Sequence, residues 1–115
     1  MSRKITVAST KTTTAKDTLY TVPVKNAGLW NLLYVISTAG TNTPSVFWYD
    51  ASTTTEYLVF SGKNLGAGDY LLLNQAEVVL QEGDQIRISQ SGTSSVTYIF
   101  TLELVPNLAT QFHGG

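Results

Sequence analysis

At 115 residues the chain has the length of one domain. Its 43% hydrophobic content suits a packed core rather than a disordered segment. Cysteine is absent, which excludes disulfides, thiolate chemistry and zinc ribbons within these residues. No run approaches the roughly 20 apolar residues of a membrane helix.

Only 13% of the residues are charged, and Thr, Ser and Asn supply the remaining polarity. Neutral hydroxyls and amides lose less solvation than Lys or Glu when pressed against another protein, so this balance points toward an assembly subunit. The net charge of −1 is unevenly divided: residues 1–16 hold Arg3, Lys4, Lys11 and Lys16 and no acid, net +4, while residues 17–115 are net −5. The basic start lacks the apolar core of a signal peptide, and the expectation is a chain made in the cytoplasm.

In chain order, β-branched and aromatic residues recur in short runs, and no window repeats apolar residues at helical spacing between caps. Residues 4–8 predict a first strand, followed by a Thr/Lys run to residue 16. Residues 18–24 predict a second, with Pro23 at an edge or a strand end. A third covers residues 29–37, and the loop 38–44 breaks it. Residues 45–50 and 56–60 predict two strands joined by the Ser/Thr run 51–55. Gly62, Gly66 and Gly68 mark a turn or bulge. Short strands follow at 69–73 and 77–80, with Asn74 and Gln75 turning between them. Glu82-Gly83-Asp84 leads into a strand over 85–90, and a turn at 91–94 leads into a long last strand, 95–105.

Alternation assigns faces to these strands. In the last one Val96, Tyr98, Phe100, Leu102 and Leu104 share a side, and in the strand before it Ile86 and Ile88 point inward. Residues 29–37 are apolar on both sides, with Trp30, Leu32, Tyr34 and Ile36 opposing Leu29, Leu33 and Val35. That pattern predicts a central strand with material packed on both faces. Trp48 cannot share a side with Phe47 and Tyr49, so one of the two sets faces outward. Eight or nine short strands at this spacing predict an all-β, antiparallel two-sheet β-sandwich, jelly-roll-like. Three parts are expected: a basic Thr-rich strand or arm over 1–16, a sandwich body over 17–105, and a C-terminal arm or tail over 106–115.

Catalytic chemistry finds no motif. His113, the single histidine, has no neighbour in the sequence that would orient it as a general base. Glu82 and Asp84 around Gly83 could give two oxygens to Ca²⁺, which needs about six. The better reading is a turn in which Asp84 accepts backbone amides. The strand that follows Gly68 rules out a phosphate-binding loop, which requires a helix there. No metal and no cofactor are therefore expected. A sequence pI near 5.6 speaks against a nucleic-acid partner, which selects for pI above about 9, and no membrane partner is expected. Outward aromatics could stack on sugar rings or form an oligomer interface. The interface candidates are Arg3, Lys4, Lys11, Lys16, Trp30, Trp48, Tyr49 and Phe112, and a glycan platform would use Trp30, Trp48 or Tyr49.

Three segments carry a family resemblance. They are Asp17-Thr18-Leu19-Tyr20-Thr21-Val22-Pro23, then Leu33-Tyr34-Val35-Ile36 with Ser37-Thr38-Ala39-Gly40, then Val79-Leu80-Gln81-Glu82-Gly83-Asp84-Gln85-Ile86-Arg87-Ile88. Together, over residues 17–104, they resemble the small β-sandwich structural proteins of tailed bacteriophages. The chain departs after Pro23, where Val24-Lys25-Asn26-Ala27-Gly28 stands in place of the family's usual Gly-containing turn. The resemblance implies a virion component with no catalytic residues, of the head-decoration or head–tail accessory type. It sets the expectation of a decoration (cement) protein on the head exterior, bound to the major capsid protein or other virion proteins. Self-association as a trimer or other ring is expected with it, since closed symmetry is common. A neck, tail or fibre subunit is the alternative within the virion, and a carbohydrate-binding β-sandwich module the alternative outside it.

Overall fold

Strict alternation in the closing strand locates the core, because every second side chain from Val96 to Leu104 is buried and the intervening ones are half-buried. The computed structural model of the chain describes residues 3–73 and 78–106. It contains β1 (Arg3–Lys11), β2 (Asp17–Thr21), β3 (Asn26–Ser37), β4 (Pro44–Asp50) and β5 (Thr55–Phe60). It continues with β6 (Tyr70–Leu73), β7 (Val79–Leu80), β8 (Gln85–Gln90) and β9 (Val96–Pro106).

The strands form two antiparallel sheets, ordered β1-β9-β3-β6, with β7 also paired to β3, and β2-β8-β4-β5. The chain changes sheet at β1–β2, β2–β3, β3–β4, β5–β6, β7–β8 and β8–β9, which is the double Greek-key path of a jelly roll. Tyr98, Phe100 and Leu102 of β9 and Leu33 and Val35 of β3 lie in one buried cluster with Ile86, Ile88 and Val46 of the other sheet. Each such side chain contributes about 1.5–3 kcal/mol by leaving water.

Two departures from simple alternation shape the centre of the first sheet. β3 pairs with β9 along its length, but the register shifts between Trp30 and Leu32, leaving Asn31 as the extra residue of a bulge. The bulge reverses the phase, so Trp30 falls on the same inward face as Leu33 and Val35 instead of opposite them. The indole is 7% exposed, meets the Phe100 ring edge-on at 4.9 Å and donates from Nε1 to the Leu73 carbonyl at 2.8 Å. β6 and β7 both lie along the far side of β3, with a two-residue change of register between them. Trp30 therefore bonds the backbone at the last residue of β6.

The first sixteen residues were expected to be a strand or an arm. Residues 3–11 are a full edge strand, paired with β9 from Arg3 to Lys11. Lys11, at its end, is 3% exposed and turns back on its own loop. Its Nζ donates to the Ala15 carbonyl at 2.6 Å and to Asp17 Oδ2 at 2.5 Å. An ammonium buried in this way needs such partners, and here they fix the corner where the chain passes from one sheet to the other. Beside it Gln90 donates from Nε2 to the carbonyls of Lys11, Gly92 and Ser94, and it accepts the Tyr98 hydroxyl at 3.0 Å. Burial pushes the Tyr98 phenol well above its usual pKa.

The turn after Pro23 explains the departure noted in the sequence. Asn26 N–H donates to the Pro23 carbonyl, and Lys25 takes a φ of 68°, the left-handed conformation a glycine would occupy without strain. Glu82 accepts the Lys25 amide at 2.9 Å and holds that turn in place.

Candidate assembly surface

The outer face of the β2-β8-β4-β5 sheet answers the question left open at Phe47, Trp48 and Tyr49. Phe47 and Tyr49 pair with Arg87 and Gln85 on the outer side, whereas Trp48 pairs with the buried Ile86. Trp48 is thus an inward residue. It stacks on Tyr57 at 5.2 Å and donates from Nε1 to Asp84 Oδ2 at 3.1 Å.

The two outward rings are covered by cations of the same chain. Lys16 Nζ stands 4.0 Å from the Phe47 centroid, and the Arg87 guanidinium carbon stands 4.0 Å from that of Tyr49. Glu56 joins them, accepting from Lys16 at 2.5 Å and from Arg87 at 3.1 Å. The Lys16 hydrogen bond, with Arg87 behind it, holds the Glu56 carboxyl below its ordinary pKa against the opposing effect of burial.

Asp84 was expected to bond the turn it follows, and it does more. It is 1% exposed, and its two oxygens accept three N–H groups. These are the Gln81 amide at 2.9 Å, the Ala51 amide at 3.0 Å and the Trp48 indole. Gly83 supplies the turn with a φ of 83°. One carboxylate therefore ties the entry to β8 to the β4–β5 turn. Glu82 points elsewhere, to Lys25, so the two acids do not converge on a common ligand. Among the described residues no group of three or more His, Cys, Asp or Glu side chains stands close enough to hold a metal ion. A shallow cleft of about 290 Å³ lies among Lys63, Asn64, Leu65, Gly68, Asp69 and Tyr70, and the Asp69 carboxylate there is taken by the Gly66 amide.

The outer face of the β1-β9-β3-β6 sheet is different in kind. Directly paired residues share a face. The outward positions are therefore Lys4, Thr6, Ala8 and Thr10 on β1, Thr97, Ile99, Thr101 and Glu103 on β9, and Leu29, Leu32, Tyr34 and Ile36 on β3. Tyr70 and Leu72 of β6 and Val79 of β7 complete it. Leu29 is 36% exposed, Leu72 46%, Val79 50% and Tyr70 58%, so four large apolar side chains stand open on one sheet. Single exposed apolar residues are ordinary, but a contiguous set marks a surface that meets another molecule. Lys4 and Glu103 are the charged groups among these positions, and they are register partners at one end. The β1/β9 half is fastened by hydroxyl pairs, Thr6 to Thr101 at 3.0 Å and Thr10 to Thr97 at 2.8 Å.

The interface candidates drawn from the sequence are thus dispersed. Arg3 and Lys4 are exposed on the β1 edge strand. Lys11 is buried in a loop contact, Lys16 and Tyr49 belong to the cation-covered face, and Trp30 and Trp48 serve the interior. Phe112 and His113 lie outside the described residues. Sequence reasoning missed the face made by Leu29, Tyr70, Leu72 and Val79. Its signal was present in a third strand that is apolar on both sides and in the unbroken run Tyr70-Leu71-Leu72-Leu73, of which one sandwich core can bury only alternate residues.

No family model matches the chain, and no curated protein matches it. Solved structures with the same fold do exist. A chain from the disulfide-linked pili of Bacillus endospore appendages aligns with a TM-score of 0.55 at 14% identity, over 92% of this chain and 86% of that one. A chain of the infectious bursal disease virus Gx strain aligns with a TM-score of 0.58 at 14% identity, over 93% of this chain. A chain of the T13 IBDV viral particle aligns with a TM-score of 0.57 at 12% identity, over 94% of this chain. The present chain spans 32% of the length of each of the two viral chains. At these identities the likeness is one of fold.

Proposed function

We propose that this chain is a structural subunit of a virion, a decoration protein that binds the head exterior and adds contact between neighbouring capsid subunits. The observation that carries the reading is the neutral, apolar outer face of the β1-β9-β3-β6 sheet, where four large side chains stand open on a body whose core is already complete. Burying that face against protein gains about 25 cal/mol for each Å² of apolar surface removed from water.

Three further points support it. The segments around residues 17–23, 33–40 and 79–88 resemble tailed-phage structural proteins, and the fold is similar to that of a chain of a viral particle. The disulfide linkage of the pilus neighbour is chemically closed to this sequence, which has no cysteine. The aromatics named for a glycan platform are engaged within the chain, since Trp30 is buried, Trp48 stacks on Tyr57 and Tyr49 lies under Arg87. The partner in this reading is the major capsid protein. The C-terminal arm expected over 106–115 lies, from residue 107 on, outside the described residues, and in this reading it would reach a neighbouring subunit.

Quantitative mass spectrometry of purified particles tests the proposal. The chain is expected in amounts comparable with the major capsid protein. A few copies per particle would move it to the neck, tail or a fibre. Detection in infected-cell lysate but never in particles would overturn the virion reading.

A further inference from the structure

The open face has an internal division that bears on what covers it. Across the sheet the columns run β1, β9, β3, β6. Pairing registers align the outward residues into rows: Thr10, Thr97, Ile36 and Tyr70 in one, Ala8, Ile99, Tyr34 and Leu72 in the next. A third row begins Thr6, Thr101 and Leu32. The β1/β9 half is thus mostly short Thr and Ala side chains, with Ile99 the exception. The β3/β6 half is entirely large. Tyr34 and Tyr70 reinforce that ridge, with ring centroids 5.6 Å apart. The face is a low shelf beside a tall ridge.

We infer that the occupant of this face is a second copy of the same chain, stacked face to face about a two-fold axis that runs parallel to the strands between β9 and β3. The inference rests on the assembly reading above and names the partner of that surface. Such an axis lays β6 of each copy over β1 of the other, and β3 over β9. Tyr70 then covers Thr10 of the second copy, Leu72 covers Ala8, and Ile36 covers Thr97. Large side chains meet small ones in these three pairs, as interdigitated sheets require, and beside the axis Tyr34 meets Ile99 of the second copy. An axis perpendicular to the strands would set ridge on ridge and leave the shelves apart. A two-fold contact is also the simplest closed symmetry, because each copy presents both halves.

Charge and area agree with this occupant. Lys4 and Glu103 are register partners that leave the face without net charge, and the stack sets them over Val79 and Leu29 of the second copy at one end of the contact, where their charged tips reach water. The other sheet would bring Lys16, Arg87 and Glu56 against their own copies, and stripping water from them is costly. Three columns of about nine residues and a fourth of the six residues of β6 and β7, about 4.8 Å apart and about 3.4 Å per residue, give a plan area of roughly 540 Å². A corrugated surface exceeds its plan area, which brings the contact close to the about 800 Å² per partner of standard stable interfaces. With this face occupied by its own copy, the apolar surface serves self-assembly of the subunit, and the pair would meet the capsid through the sheet edges or through the opposite sheet, where Leu58 stands 60% exposed beside Phe47.

Sedimentation equilibrium of the full chain tests the inference, with circular dichroism confirming that each variant is folded. The wild type is expected to be a dimer at micromolar concentration. Leu72→Lys is expected to weaken it by about 100-fold or more, since both copies then press a charge onto Ala8 within the contact. Leu58→Lys, on the outer face of the other sheet, is expected to leave the dimer unchanged. A wild type that is monomeric at all concentrations, or that forms a trimer or larger ring, overturns the two-fold pair. So does a Leu72→Lys variant that dimerises as well as wild type. Each of these failures leaves the particle measurement untouched, so the loss of the pair and the loss of the assembly role are separable results.

Discussion

On the outer face of the β2-β8-β4-β5 sheet, Phe47 lies under Lys16 and Tyr49 under Arg87, with Glu56 tying the two cations together. On the outer face of the β1-β9-β3-β6 sheet, Leu72, Val79 and Tyr70 stand 46–58% exposed. Both faces arise from the same alternation of residues along strands, and both sheets send their inward residues into one core. The difference lies in where the polar partners are. One sheet is fastened by its own charges and buried carboxylate, and its outward rings Phe47 and Tyr49 are covered within the chain, with Leu58 left open beside them. The other relies on backbone ladders and hydroxyl pairs and leaves its apolar side chains for another molecule.

Perturbing the fastenings should break this contrast in a graded way. The largest effect is expected at Asp84→Ala, which removes the acceptor of three N–H groups and leaves the Gln81 and Ala51 amides and the Trp48 indole unpaired. A loss of about 3 kcal/mol is expected from denaturant unfolding, given the usual cost of orphaning buried donors. An unchanged midpoint would show that water replaces the carboxylate and that the sheet is not held there.

Glu56→Gln is expected to be milder, about 0.5–1 kcal/mol at neutral pH, because the ion pairs are partly exposed. Its pH dependence gives the sharper reading. The folded-state pKa of Glu56 lies below its ordinary 4.5, so its contribution is complete above that value and is lost as pH falls through the folded pKa. The acid limb of the wild-type stability curve should therefore be steeper than that of Glu56→Gln. Parallel limbs would mean that the carboxylate contributes nothing to folding. The smallest change belongs to the other sheet: Thr101→Val removes one hydroxyl pair on an outer face and is expected to stay within about 0.5 kcal/mol.

The sequence made the framework of this fold readable wherever alternation was uninterrupted. The faces of β9, from Val96 to Leu104, and of β8, with Ile86 and Ile88 inward, follow directly from period two. Trp30 was misplaced because a single extra residue, Asn31, reverses the phase, and no local signal distinguishes a bulged Asn from an ordinary outward one. Lys11 stands among the interface candidates because a lysine in a basic, Thr-rich run looks available to a partner. Its burial depends on a loop that closes back to Asp17, which only the sheet crossing brings near. At Phe47, Trp48 and Tyr49 alternation limited the choices to two, and the paired strand decided between them. The candidate surface was the least legible part. It is formed by β1, β9, β3 and β6, which are distant in sequence, so its shelf and ridge exist only once the strand order is known.

Intermolecular paramagnetic broadening in a mixed sample measures the arrangement directly. One copy carries a spin label at Thr12→Cys, an exposed loop position just beyond β1 in a chain with no other thiol. The second copy is isotope-labelled and diamagnetic, so only contacts between copies are seen. The two-fold stack predicts strongest broadening at the amides of Tyr70, Leu71 and Leu72, over which β1 of the labelled copy would lie. Broadening centred on β1 itself or on the cation-covered sheet, or none at any residue, would contradict it.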